Sequence, residues 1–428
     1  FTRIDRTQIA PLNPSLNPTG SEDVSDDEIE NNVFNMRFIH LFKESFLSNW
    51  DNSFYRDEFT MIKTRRNTSR RKDTRKVKTT GIKSSLLIGD VTKENWELLV
   101  GGEFFQDNNN GIRDGQELEN FPDGTGKYQG HFVQLLWNPL EKIDVMPGLR
   151  WDKASFESDN PSHVNKEYSQ WSKSLTLKYH PSINWELFAS YGEGFNAPRL
   201  QDLYIDGFHH SGTFFFPDNY FTPNPDLRPE SSNGFEVGFK SNFTGKNLLW
   251  NYFLEGTYFR TDVSDYIAEE IDLLAGTTRF INLQNVLIKG YEFQAGVDYT
   301  WLGVSLSYSS TRGYNKNDGH NLSDMPMDTW RLSNYFNFFD NQLTLGHKIT
   351  VAEGQDRFDE NEYEDNSIFH TPGHIVHDSF VKWASMGKLD GLTTVFRLEN
   401  VFDKSYRRHT NNFNEPGRNF IISAKYNW

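Results

Sequence analysis

The chain has 428 residues, 36% of them hydrophobic, with a net charge of −15 and a mean hydropathy of −0.69. It is too long for one β-sandwich, and no apolar run reaches the roughly 18 residues that a membrane-crossing helix needs. An excess of 59 acidic over 44 basic residues argues against a nucleic-acid partner, and the lack of cysteine suits passage through an oxidising compartment. Such averages look soluble, but they are blind to a closed β-barrel, where every second residue faces lipid and the others a polar lumen. Aromatic residues make up 15% of the chain, as the interfacial girdles of a barrel require.

Taken in chain order, the opening FTRIDRTQIAP reads as the middle of a strand and implies a true N-terminus upstream. Asn13 to Glu30, rich in Pro, Ser, Asp and Glu, is expected to be an outward loop. The basic stretch Lys63 to Lys76 is expected to be another, a solvated hairpin tip in preference to a contact with anionic lipopolysaccharide. Gln106 to Glu117 has glycine sixth and glutamate twelfth, as a calcium loop of the EF-hand type needs. Gln106 stands where that loop begins with Asp, so a turn rich in Asn and Gly is preferred to a calcium site.

Further along, alternation becomes clean. Trp185, Leu187, Ala189 and Tyr191 share one face, with Glu186 and Ser190 opposite. Phe235, Val237 and Phe239 repeat the design, as do Tyr291, Phe293, Ala295, Val297 and Tyr299. Short turns, near residues 137–141, 180–184, 243–247 and 339–342, alternate with long polar stretches. The long stretches are Asp107 to Lys127, Phe156 to Tyr168, Asn196 to Glu230, Tyr314 to Met325 and Glu353 to Phe369. Short turns on one side and long loops on the other are the asymmetry of outer-membrane barrels. The final segment places Phe420, Ile422, Ala424, Tyr426 and Trp428 on one face, similar to the C-terminal signal of barrel clients. About 17 strands from Asn32 onward, with a partial one before, give an all-β, transmembrane antiparallel β-barrel of about 18 strands.

The run Tyr191 to Tyr204, with Phe195-Asn196-Ala197-Pro198 followed by Leu203-Tyr204, resembles TonB-dependent outer-membrane receptors. Asn224-Pro225-Asp226-Leu227-Arg228-Pro229-Glu230 is similar to the second box of that family, and Glu236 and Leu398 to Tyr406 also match it. Haem receptors carry two such boxes in one outward loop with an axial histidine between them; here the interval holds His209 and His210. Asn414 to Phe420 also resembles the haem-receptor ending. The first box departs from that subfamily, which usually has Arg where this chain has Asn196.

The resemblance implies a barrel of about 22 strands closed by an N-terminal plug. Residues 1–428 would then be a partial barrel whose plug, TonB-contact segment and first strands lie upstream. It further implies capture of haem, free or on a carrier protein, and its import into the periplasm. Neutral imidazole is a good axial ligand for haem iron, and Phe208, Phe214, Phe215 and Phe216 offer apolar surface for a porphyrin. The competing reading is a pair of solvated histidines, and the residues alone do not choose between His209 and His210 as ligand.

Other histidines promise less. His374 and His377 fall on opposite faces of a strand, which disfavours a shared ion, and His370 lies just before them. His40, His131 and His347 sit in mid-strand. No G-x-S-x-G, H-E-x-x-H, phosphate loop or cysteine nucleophile is present, so no enzyme is expected. The expected protein is a monomer of the bacterial outer membrane, in contact with lipid and lipopolysaccharide. The alternatives are a TonB-dependent receptor for a siderophore or another nutrient, and a passive porin of about 18 strands.

Overall fold

The computed structural model describes residues 2–11, 24–43, 46–66, 70–90, 94–212, 214, 216–245, 250–358, 370–387, 390–409, 411 and 414–427. Among these the chain forms 21 strands and a short helix, α1 (Leu200–Tyr204). Eighteen strands have eight or more residues, the number expected from the alternation, and the three shorter ones lie within connections.

One compact unit comprises residues 1–177, 191–233 and 263–285. In it β1 (Thr2–Pro11), β2 (Val24–Leu41), β3 (Leu47–Arg65), β4 (Lys72–Gly89) and β5 (Trp96–Arg113) pair antiparallel in sequence order. After the two-residue β6 (Gln116–Glu117), β7 (Gly124–Leu140) pairs with β5, and β8 (Ile143–Ser158) with β7. The unit also holds two short loop strands, β11 (Gly207–His210) and β12 (Asn219–Phe221).

The second unit comprises residues 178–190, 234–262 and 286–428. Its ladder runs through β15 (Thr277–Tyr299), β16 (Leu302–Asn315), β17 (Thr329–Phe338), β18 (Leu343–Ala352), β19 (His374–Ala384), β20 (Leu392–Glu399) and β21 (Asn419–Tyr426). Each of these strands pairs antiparallel with the next. The remaining strands, β9 (Lys166–Ser182), β10 (Trp185–Asn196), β13 (Glu230–Thr244) and β14 (Trp250–Asp272), contribute residues to both units, as does β15.

Period-2 patterning explains the faces. In β2 to β5 the even positions Phe34, Phe38, Trp50, Phe54, Ile82, Val100 and Phe104 are exposed and apolar. The odd positions between them carry Asp51, Asp57, Thr79, Lys83 and Glu103. In β21, Phe420, Ile422 and Tyr426 repeat the apolar face; Trp428 lies outside the described residues. Where a large ring crosses the polar face its neighbour is glycine: a Cβ on Gly81 would stand 2.3 Å from the Tyr55 ring.

The short turns near 137–141, 180–184 and 339–342 fall as expected, the turn near 243–247 and the loop Glu353 to Phe369 lie partly outside the described residues, and three other loop boundaries differ. Residues 24–30 belong to β2, and residues 13–23 of that expected loop lie outside the described residues. The basic stretch is mostly ladder, since β3 runs to Arg65 and β4 resumes at Lys72. β5 continues to Arg113, well past Asp107, and turns through Asp114 and Gly115, both at positive φ. The reason is the medium: a strand of 18 or 19 residues exceeds the roughly 9–11 needed to span lipid, and its outer half meets water on both faces. Apolar alternation vanishes there while hydrogen-bond pairing persists.

The stretch Gln106 to Glu117, expected as an Asn- and Gly-rich turn in preference to a calcium loop, is instead mostly strand, with its turn confined to Asp114 and Gly115. Gln106 to Arg113 is extended strand, which spaces same-face side chains by roughly 6.6 Å instead of wrapping them around an ion. Gln106 donates to Asn108 at 2.9 Å, Asn110 donates to Asp123 at 2.7 Å, and Asp114 accepts from the Lys72 backbone at 2.9 Å.

Candidate functional site

The two sequence boxes fold onto each other. Phe195 and Asn196 end β10, and Pro198 is fully buried ahead of α1. Leu200, Leu203 and Tyr204 of α1 pack with Leu227 of the second box and with Ala154 and Phe156 of β8. Ala197, Tyr128 and Tyr168 close around this cluster. Asp202 caps the helix, accepting from the Arg199 backbone at 2.9 Å and pairing with its guanidinium at the same distance. That ion pair raises the pKa of Arg199. Burial pushes the Tyr204 phenol up to about 12, and its hydroxyl donates to the Val164 carbonyl at 2.6 Å.

Polar bonds fasten the second box. The Asn224 backbone donates to the Leu203 carbonyl at 3.0 Å and its side chain to the Phe280 carbonyl at 2.8 Å. Asn224 also accepts from the Asp226 backbone, while the Tyr168 hydroxyl donates to the Leu227 carbonyl at 2.9 Å. Asn196, which stands where an arginine is usual, donates to Glu230 at 2.6 Å, and Glu230 accepts from the Ile267 backbone at 2.7 Å. Asp226 itself is exposed, with only a 3.7 Å approach from Lys166. Pro225 is half-buried in the turn. Of the box residues, Ala197, Pro198 and Leu227 supply apolar packing, and Asn196 and Asn224 bond the two ends of the loop together.

Between the boxes, β11 pairs antiparallel with β12, and β12 lies parallel to β15 through Tyr220↔Thr277 and Phe221↔Thr278. The β11–β12 register slips between Phe208 and His210, which makes His209 the bulged residue. A regular strand would send His209 and His210 to opposite faces; here their ring centroids are 4.8 Å apart. The His209 ring lies 4.1 Å from that of Phe221. Its Nδ1 stands 3.2 Å from Asn219 Oδ1 and 3.2 Å from Thr278 Oγ1, and Thr278 donates to the same Oδ1 at 2.6 Å.

Asn219 and Thr278 therefore hold the ring by its Nδ1 edge, and Nε2 is the nitrogen turned away from that grip. Among the described residues Nε2 has no hydrogen-bond partner. Burial depresses the His209 pKa, the Asn219 bond opposes this, and neighbouring His210 adds to the lowering. His210 Nδ1 stands 3.1 Å from the Ser211 carbonyl. Phe208 meets Tyr220 edge to face at 5.7 Å, Phe214 is almost fully exposed, Phe216 is half-buried, and Phe215 lies outside the described residues.

A cleft of about 300 Å³ opens beside the first box, lined by Phe105, Tyr128, Arg150, Asp152, Phe195 and Arg199. Phe105 and Tyr128 stack at 4.4 Å, and Arg150 bridges Asp152 at 2.8 Å and Glu103 at 2.9 Å. Of the other histidines, His163 stacks on Tyr204 of α1 at 4.8 Å, and those singled out in the sequence have partners outside this loop. His374 stacks on Tyr406 at 4.4 Å, whereas His377 meets His347 at 3.1 Å and Phe402, as opposite faces require. His370 packs against Phe358, His40 against Phe42 and His131 against Trp151. Among the described residues, no three His, Cys, Asp or Glu side chains group as a metal site.

The sequence reading missed Asn219 and Thr278. Thr278 lies 69 residues from His209, on another strand, and no spacing rule links them.

Strands with one apolar and one polar face, joined in sequence order by short turns and long loops, define the class of transmembrane β-barrel proteins. Within it the chain belongs to the family of TonB dependent receptor-like β-barrels, whose model matches residues 2–401. That is a receptor and transporter family and not an enzyme class, and membership sets aside the passive porin. The chain is 27% identical over 324 residues to the hemin receptor of Yersinia pestis, covering 73% of this chain and 46% of the relative. It is 29% identical over 301 residues to the heme/hemopexin utilization protein C of Haemophilus influenzae, covering 67% and 41%. The chain thus spans less than half the length of these relatives.

Among solved structures, the copper transporter OprC matches with a TM-score of 0.77 at 17% identity, over 94% of this chain and 66% of that one. The Serratia marcescens hemophore receptor HasR, a double mutant in complex with its hemophore HasA and heme, matches with a TM-score of 0.77 at 17% identity. That match covers 99% of this chain and 68% of HasR. At such identity these two likenesses establish the fold.

Proposed function

We propose that this protein captures haem at the surface of the bacterial outer membrane and imports it into the periplasm in a TonB-dependent way, with His209 as an axial ligand. The observation that carries the reading is the setting of His209: half-buried, depressed in pKa by burial, held at Nδ1 by Asn219 and Thr278, and without a hydrogen-bond partner at Nε2 among the described residues. An imidazole oriented through its second nitrogen is the arrangement that suits iron. His210 is the second choice, because its Nδ1 bonds only to the adjacent Ser211 carbonyl, which fixes the ring less firmly. The hemin and heme/hemopexin names of the curated relatives support haem over a siderophore.

The rest of the reading follows from the family. Sequence outside this chain would supply a plug, the segment that contacts TonB and further strands. A haem-carrying protein is the natural outer partner, met by the loop between the two boxes. Exposed Lys72, Lys76 and Lys78, on the even face of β4, would meet lipopolysaccharide phosphates outside a monomeric barrel.

The test is a Soret titration of the full-length receptor in detergent. His209→Ala is expected to abolish the ligation band, and His210→Ala to leave it. Growth with haem as sole iron source, compared with growth on ferric siderophores, separates the cargo classes; growth on siderophores alone would sink the haem reading.

A further inference from the structure

At the outer end of β3, β4 and β5, on the odd-numbered polar face, the guanidinium groups of Arg71, Arg75 and Arg113 gather around the Asp73 carboxylate, and that of Arg65 stands beside Arg71. Arg113 grips Asp73 with both Nε, at 2.8 Å, and Nη2, at 3.1 Å. Arg71 reaches Asp73 Oδ2, the oxygen that Arg113 Nη2 also holds, at 3.2 Å. Arg65 and Arg75 have no carboxylate partner among the described residues. The Nε atoms of Arg65 and Arg71 are buried without a hydrogen-bond partner. Arg75 lies over the Phe121 ring at 5.6 Å.

Lys63 lies between Asp73 and the buried Asp27 in the same row, so five cations share this face with two carboxylates, an excess of partly buried positive charge that an added anion would relieve. Arginine is suited to that anion, since its planar fork matches carboxylate and phosphate oxygens.

Position narrows the choice. Asp73, Arg75 and Arg113 share the face opposite Ile82, Val100 and Phe104, so they point away from lipid and from lipopolysaccharide. The connection Leu118 to Phe121 joins this cluster to the histidine loop. Leu118 is completely buried and donates to the Gly111 carbonyl at 3.0 Å, and Asp123 accepts from the Gly111 backbone at 2.6 Å. On that pinned segment the Glu119 carbonyl accepts from the Asp206 backbone at 3.3 Å, and a Cβ on Gly207 would collide with the Glu119 side chain. Gly207 begins the strand that carries His209, and Phe121, two residues after Glu119, underlies Arg75.

We propose that Arg71, Arg75 and Arg113 around Asp73, with Arg65 beside Arg71, form an oxyanion site that takes the propionate carboxylates of the incoming porphyrin. This rests on the haem reading above and adds to it the group that recognises the porphyrin edge. Iron is not needed for such recognition, which lets the two ideas fail separately.

The probes are protoporphyrin IX, which has the carboxylates and no iron, and its dimethyl ester, which has neither. Binding is read by tryptophan quenching on the full-length receptor in detergent. The wild type is expected to hold the free acid about tenfold more tightly than the ester, the scale of a charge-assisted hydrogen bond. The Arg65→Gln/Arg75→Gln variant removes two cations that hold no carboxylate partner, and is expected to bind acid and ester alike with ester affinity unchanged. Arg71→Gln is a second variant, expected to reduce the same preference. Equal binding of acid and ester by the wild type, or a preference that survives in both variants, overturns the proposal. So does a result in which the variants lose only their affinity for phosphorylated lipid A micelles. His209→Ala should leave the porphyrin preference intact whatever it does to the Soret band.

Discussion

Across the β11–β12 hairpin, His209 Nδ1 and Asn219 Oδ1 face each other at 3.2 Å, and Thr278 Oγ1 closes the triangle. Asn219 and Thr278 are buried, so the triangle aims an imidazole from a fixed base. Asn219→Leu should therefore weaken haem binding with His209 still present. A loss of about tenfold to a hundredfold is expected by analogy with other partners that orient a metal-ligating histidine. A Soret titration with unchanged affinity would show that the triangle is only structural.

Haem binding should also depend on pH, with a definite sign. Ligation needs neutral imidazole, and burial holds the His209 pKa below its ordinary value near 6.5. Affinity should stay level down to about pH 6.5 and fall as the pH drops through the depressed pKa. The loop should lose stability in the same window, because the unfolded segment takes up the proton first. Asn219→Asp places a carboxylate beside the ring and should move the onset to higher pH. Titrations from neutral to mildly acid pH on both proteins decide this.

The box cluster should be a unit of local stability. Leu203 is completely buried among Tyr204, Leu227 and Phe156. Leu203→Ala should cost about 2–5 kcal/mol there. Limited proteolysis should then cut between residues 197 and 229 while the far-UV strand signal is retained. Loss of the strand signal would mean that the cluster supports the whole sheet.

The two faces of β21 should respond differently to charge. Ile422 is largely exposed on the apolar face, with Ser423 on the other side of the strand. Ile422→Arg should destabilise by about 2–4 kcal/mol in bilayers, and Ser423→Arg by much less. Denaturant titration in lipid vesicles is the measurement. Equal effects would remove the lipid from the account of alternation.

Alternation alone placed eighteen long strands, three short turns and the lipid face of β10, β13, β15 and β21, because a period of two is imposed by hydrocarbon on one side of a pleated strand. The boxes around Ala197 and Leu227 were also legible, since residues that must pack together keep a recognisable local pattern. Tertiary structure decided the rest. Beyond the lipid both faces of β3, β4 and β5 meet water, so only the hydrogen-bond ladder could show that Lys63 to Lys76 is mostly strand and that its arginines divide by parity. The bulge at His209 and its meeting with Thr278 depend on a register shift and on a strand 69 residues away. A linear chain records which side chains are available, and only closure of the loop onto its neighbours determines which ring nitrogen is gripped and which is turned away.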